Sequence, residues 1–279
     1  MVKIITMDPL IPIERWEIFA NGLDHPECLA FDREGTLWAG GEAGQVYRID
    51  PDGKLEQITT LGSFNAGLAF SPTDELFVCN PAMGMVRVDR TGKFEVFATH
   101  ASGEKVICAN FPVFDSAGNL YVSDSGQWKK RNGRLIRFTP DGRGEVLAGP
   151  MGYANGLALS ADERFLFVVE SDTDRVFRME LQTGRHEVYA AYVGRMPDGL
   201  ALDEEGNLYA SCYASDEIHR ITPDGQKQLF AWDRWAILLS RPTNMAFAGD
   251  TIYVANLGRT TITRAKVGVN GQRLVNLKS

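Results

Sequence analysis

The sequence predicts an all-β fold, a six-bladed β-propeller of four-stranded antiparallel blades closed by its N-terminal strand, with residues 1–279 forming one domain. Three observations carry that prediction. A five-residue pattern recurs six times, at spacings of 39, 44, 45, 43 and 45 residues, which is the period of a propeller blade. Each repeat divides into short runs rich in Val, Ile, Leu, Phe and Tyr, separated by Gly-, Asp- and Pro-rich turns, as short antiparallel strands do. No stretch sustains a 3.6-residue apolar period, so little helix is expected.

The first repeat shows the unit. Cys28–Phe31 leads into the turn Asp32-Arg33-Glu34-Gly35, then a strand over 36–39, a strand over Gln45–Ile49, the turn Asp50-Pro51-Asp52-Gly53 and a strand over 54–60. Gly118-Asn119-Leu120-Tyr121-Val122, Arg164-Phe165-Leu166-Phe167-Val168 and Gly206-Asn207-Leu208-Tyr209-Ala210 repeat its second strand. Repeats end in a strand like Phe94-Glu95-Val96-Phe97-Ala98, and Trp16-Glu17-Ile18-Phe19-Ala20 is a copy of it with no repeat before it. Donated to the last blade, from Met245 onward, that copy removes two exposed edges.

Up-and-down strands sort the connections onto two faces. The acidic, glycine-rich turns, including Thr139-Pro140-Asp141-Gly142 and Thr222-Pro223-Asp224-Gly225, share one face; they lack the alternating oxygen ligands of a calcium loop and read as turn chemistry. The opposite face holds the links between blades, the long loop 123–133 and the aromatic stretch from Phe230 to Trp235. Long loops with Trp and Arg are what a pocket rim contains.

Composition narrows the class. A formal net charge of −7 argues against a nucleic-acid or anionic-membrane partner, and leaves a small molecule as the expected one. No run of about 18 apolar residues exists, so no spanning helix is expected. The segment from Met1 to Pro12 does not read as a signal peptide. The four cysteines, Cys28, Cys79, Cys108 and Cys212, form no Cys-x-x-Cys pair, which suggests a reduced, cytoplasmic protein.

Aligning the six patterns on their third and fifth, apolar, residues puts Glu27, Ala66, Asn110, Asn155, Asp198 and Thr243 in equivalent places. Propeller symmetry carries them to one ring around the channel. Two carboxylates and two carboxamides there supply oxygen donors for a hard divalent cation: calcium first, with manganese, zinc or iron(II) open. The four histidines share no register with them. The competing reading, strand-start residues satisfying loose backbone groups, is weakened because two like charges at one axis resist burial without a cation between them. Asp124, at the head of the long loop, is a substrate contact or a turn residue. Lys129, Lys130 and Arg131 read as a solvated loop. Cys28 and Cys108 flank the ring but lack a histidine to activate a thiolate.

These residues bear a resemblance. His25-Pro26-Glu27, Asn110 ahead of Asp115-Ser116-Ala117-Gly118-Asn119-Leu120-Tyr121, Asn155-Gly156-Leu157-Ala158-Leu159-Ser160 and Pro197-Asp198-Gly199-Leu200-Ala201 resemble the gluconolactonase/regucalcin (senescence marker protein-like) family of six-bladed lactonases. That family is related in fold to strictosidine synthase-like proteins. The resemblance implies that Glu27, Asn155 and Asp198 bind a catalytic divalent cation, with Asn110 assisting at metal and substrate. Sugar-lactone members carry an Arg two residues before the assisting Asn, where this chain has Cys108, so a less polar cyclic ester stands beside a sugar lactone as substrate. Their first-blade Glu is followed by Gly-Pro, here by Cys28.

The expected function is therefore a metal-dependent hydrolase opening a lactone or related ester. The cation polarises the carbonyl, Asp198 is the candidate base, and Asn110, Cys108, Asp124 and Trp128 are candidate substrate contacts. A phosphotriesterase on the same site, or a propeller serving as a binding scaffold, are the alternatives.

Overall fold

The computed structural model describes residues 8–277; most of the N-terminal segment read above as carrying no signal lies outside the described residues. Six four-stranded antiparallel sheets are arranged as blades. Blade 1 runs Cys28–Phe31, Leu37–Gly40, Gln45–Ile49 and Leu55–Thr60 from the channel outward. The inner strands of blades 2 to 6 are Gly67–Phe70, Ala109–Phe114, Ala154–Leu159, Pro197–Leu202 and Pro242–Ala248. The sixth sheet takes Glu17–Asn21 as its outer strand, paired with Thr261–Lys266, so the N-terminal strand closes the ring as the repeat count requires.

The blades hold together by filling the spaces between them. Six apolar clusters occur among the described residues, one at each interface. Between blades 5 and 6, Tyr209, Ile218 and Phe230 meet Met245, Ile252 and Val254; between blades 6 and 1, Ala20 and Leu23 join Ala255, Ile262, Leu29 and Phe31, which seals the closure. Edge-to-face rings reinforce the seams, with Tyr209–Phe247 at 5.3 Å and Phe77–Phe114 at 5.1 Å. Second strands such as Leu208–Cys212 are buried along their whole length, hence their unbroken apolar runs, whereas the outer Phe94–Ala98 is largely exposed.

The acidic turns consume their own carboxylates. Asp50 Oδ1 accepts the N–H groups of Asp52 and Lys54, both at 2.9 Å, and Asp203 Oδ1 accepts those of Glu205 and Asn207 at 3.0 and 2.8 Å. The aromatic stretch after Lys227 divides differently from the expected link. Lys227–Trp232 is the outer strand of blade 5 and Phe230 is core; the link begins at Asp233. Helix is confined, among the described residues, to three short 3-10 turns, and none is long and apolar enough to cross a membrane. A small hairpin, His100–Ala101 with Glu104–Lys105, sits in the link between blades 2 and 3.

Candidate functional site

Four inner strands break register where the ring residues stand. The shifts fall between Ala109 and Pro112, Ala154 and Leu157, Pro197 and Leu200, and Pro242 and Met245. A bulge of this kind turns a side chain away from its regular direction and is a common device beside sites. Neighbouring serines take up the displaced backbone. Ser123 Oγ accepts from Phe111 N at 3.0 Å, Ser211 Oγ accepts from Gly199 N at 2.9 Å, and Ser171 Oγ donates to Pro197 O of the next blade at 2.6 Å. The glycines that follow Asn155 and Asp198 allow adjacent blades to touch. A Cβ on Gly156 would lie 2.3 Å from Asp198 O, and one on Gly199 2.5 Å from Thr243 O.

The result is a ring of buried oxygen. Glu27, Asn110, Asn155 and Asp198 are 5, 5, 3 and 8% exposed. Asn155 Nδ2 donates to Ser171 Oγ and to Asp198 Oδ2, both at 3.2 Å, which turns its carbonyl oxygen away from them. Glu27 Oε2, Asn110 Oδ1, Asn155 Oδ1 and Asp198 Oδ1 are all buried without a hydrogen-bond partner. A buried oxygen left unpaired costs about 1–3 kcal/mol, more when charged, so four in one ring call for a common partner. All four are acceptors unless a carboxyl takes up a proton, and a hard cation suits such a set.

The electrostatics agree. Burial pushes the Glu27 carboxyl well up, and the Asp198 charge pushes it further. Burial likewise raises Asp198 to about 7, against a small opposing effect from the Asn155 hydrogen bond. Two carboxylates held this way gain from a positive charge between them.

Blade 6 departs from the alignment. Thr243 is buried, but its hydroxyl donates to Glu27 O at 2.7 Å and so braces the first blade. The next residue enters the channel instead: Asn244 Nδ2 donates to Ala66 O at 3.1 Å, two blades on, and its Oδ1 is a fifth buried oxygen without a partner. Asn244 stands at the second pattern position, where blades 4 and 5 have Gly156 and Gly199, so counting from the apolar residues puts it one place off. Tyr153 was also missed. Its left-handed backbone, φ 61°, sets its ring edge-on to Trp128 at 5.1 Å. Burial raises its hydroxyl, with further push from Cys108, Asp198 and Glu27, which places it beside the ring. A tyrosine two residues before Asn155 carries no sequence signal of that role.

Asp124 needs correcting as a substrate contact. It is fully buried, and its carboxylate accepts from Ile107 N at 3.1 Å, Cys108 N at 2.8 Å, Gly126 N at 3.2 Å and the Arg134 guanidinium at 2.6 Å. It anchors the loop and has no lone pair to spare. Trp128 is 40% exposed at the rim, and Lys129, Lys130 and Arg131 are solvated. Cys108 is partly buried, its thiol pushed up to about 11 by burial and by Asp124; Cys28 is fully buried, and its thiol is likewise pushed well up, chiefly by burial. Neither is poised as a thiolate. Asp24, His25 and Glu42 form a separate cluster near the surface, where Asp24 Oδ2 already accepts from Ala43 N and Gln45 Nε2.

With this geometry in hand, comparison with known proteins is decisive for family. The profile of the SMP-30/gluconolactonase/LRE-like region matches residues 26–257, from just before Glu27 to just past the second strand of blade 6. The chain belongs to that family. Among its curated relatives are the 6-deoxy-6-sulfogluconolactonase of Pseudomonas putida, 28% identical over 82% of this chain and 82% of the relative, and the lactonase drp35 of Staphylococcus saprophyticus, 28% identical over 87 and 81%. Two solved structures share the fold. A gluconolactonase of Xanthomonas campestris superposes with a TM-score of 0.79 at 18% identity, covering 92 and 89% of the two chains. A calcium-binding regucalcin of Agrobacterium tumefaciens gives 0.76 at 18%, covering 96 and 98%. Its relatives thus include lactonases, and a calcium-binding protein shares its fold.

Proposed function

We propose that this protein is a metal-dependent hydrolase that opens a lactone or related cyclic ester, with Glu27, Asn155, Asp198 and Asn110 holding one divalent cation, calcium before manganese, zinc or iron(II). The observation that carries the reading is the set of four buried oxygens without a partner, two of them on carboxyl groups raised by burial. The lactonase relatives support the reaction class, and the calcium-binding regucalcin supports the choice of metal.

A cation held there supplies Lewis acidity toward the ester carbonyl and lowers the pKa of nearby water. The chain does the rest. Asn155 fixes one Asp198 oxygen at 3.2 Å and leaves the other facing the channel, where it takes the proton of the attacking water. Asn110 orients substrate or water with an amide whose oxygen is free of protein partners. Tyr153 and Trp128 form an aromatic wall beside the ring, and Cys108 replaces a charged grip with a neutral one. These surroundings favour a less polar ring.

The test is proton release from a panel of sugar and aliphatic lactones by chelated and reloaded protein. Turnover restored by calcium and absent in the Glu27→Gln, Asp198→Asn double variant supports the reading. Metal binding without turnover on any lactone turns it toward phosphotriesters; no metal binding leaves a scaffold.

A further inference from the structure

Below the ring the channel changes character. Leu29, Phe70, Pro112, Leu157, Leu200 and Met245, third or fifth residues of the repeated pattern, help to line a cavity of about 150 Å3 at the turn face. Apolar atoms dominate the wall, yet it is not purely hydrocarbon. In blade 1 the pair Asp32–Thr36 is hydrogen-bonded, so by alternation Leu29 and Phe31 turn their N–H and C=O groups toward the channel. An apolar wall with a few fixed donors and acceptors is the usual make-up of a small-molecule pocket.

The C-terminal segment crosses the mouth. Gln272 donates from its backbone to Leu202 O at 2.9 Å and from Nε2 to Leu159 O at 2.8 Å, pinning the chain on blades 5 and 4. Asn276 Nδ2 donates to Phe31 O at 3.1 Å, and Arg33 Nε donates to Asn276 O at 3.0 Å, pinning it on blade 1. Arg273, Leu274 and Val275 cross the opening between those clips. The same bonds cap three of the strand-end carbonyls, which lowers the demand for water at that end. The space itself is kept open by alanines at the fourth pattern position, Ala69, Ala158, Ala201 and Ala246 among them.

We propose that this lower cavity is a second binding site, separate from the ring, for a small uncharged molecule with an apolar ring and at most one hydroxyl, of phenol size. A dry apolar cavity of about this volume takes benzene, and the backbone groups left facing the channel provide for one hydroxyl. An anion is disfavoured, because no described side chain that lines the space brings a cation into its interior; Arg273 lies on the closing segment.

The experiment is phenol and benzene titration of the full chain by ligand-observed NMR, with benzoate as the charged control. Saturable binding of phenol, at least tenfold weaker binding of benzoate, and no loss in the Glu27→Gln, Asp198→Asn double variant support the site. An Ala158→Leu, Ala246→Leu double variant, with lactone turnover and melting point as checks on folding, loses phenol binding at least tenfold. No saturable binding in the parent chain, retention in a folded filling variant, or loss in the ring variant overturns it. Should the filling variant not fold, a bromobenzene-soaked crystal decides. An anomalous peak among Leu157, Leu200 and Met245 supports the site, and a peak only at the ring or an ordered water chain in the cavity overturns it.

Discussion

The two ends of the channel are built from the same six strands and differ in almost everything else. At the upper end the first pattern residues, with Asn244, bring five buried oxygens without partners and two carboxyl groups raised by burial. At the lower end, two to four residues further along each strand, Leu, Phe, Pro and Met side chains line the space and the chain's own tail caps it. The upper end lowers its own stability in order to bind; the lower end is where ordinary core burial resumes. A strand of five residues suffices for the change, because each residue advances about 3.3 Å along the channel.

That contrast sets the predictions. The largest effect is expected at the top: Glu27→Gln with Asp198→Asn removes both charges, and metal-dependent lactone turnover falls by a factor of at least about 10³, of the order found for loss of a key electrostatic group. Metal-induced thermal shift vanishes with it. At the bottom, Leu200→Ala should cost about 2–5 kcal/mol in urea unfolding, as burial of that side chain at 3% exposure implies, while calcium binding measured by calorimetry is retained. A result in which Leu200→Ala destroys metal binding would end the separation of the two regions.

The ring also predicts a pH dependence of opposite sign to that of a salt-bridged carboxylate. Asp198 is raised from 3.8 to about 7, so between those values the folded chain binds more protons than the unfolded one. Stability of the metal-free protein therefore falls as pH rises through that window, by an amount on the order of a few kcal/mol. Melting points between pH 4 and 7 check it. The slope should flatten in the double variant and in saturating calcium, which favours the charged carboxylates.

Smaller effects separate the ring's members. Asn244→Ala removes the bond to Ala66 O and one channel oxygen; calcium affinity should drop about tenfold, the scale of an outer-shell loss. Thr243→Val, which cannot brace Glu27 O, should cost about 1 kcal/mol of stability and leave turnover on a good substrate within a few-fold. The least change is expected from Cys108→Ser, since its thiol, at about 11, is protonated at neutral pH. A loss beyond about tenfold in turnover would show that this thiol does chemistry.

Much of this was legible in the chain. Blade count, strand order and closure by 17–21 follow from a repeat whose apolar positions must all face a neighbouring blade. The buried placement of Glu27, Asn110, Asn155 and Asp198 was legible because the repeat gives each the same register, and symmetry does the placing. Asp124 misled, because nothing in a loop sequence shows that Arg134, ten residues on, and three backbone N–H groups will occupy its oxygens. Asn244 was passed over for Thr243, because it occupies the second pattern position, which blades 4 and 5 fill with Gly156 and Gly199 and which therefore carries no side-chain signal in those repeats.

What the sequence determined by itself was the set of short-range choices: where strands start and turn, which side of each is apolar, and which six residues share a register. Those depend on neighbours along the chain, and period and turn chemistry report them. What only the tertiary structure decided was which oxygens end up without partners. That Asn244 reaches Ala66, that Tyr153 turns to Trp128, and that 272–276 cross the channel mouth are contacts between residues up to 245 apart. Their energies depend on the closed ring, in which burial strips water from all of them at once.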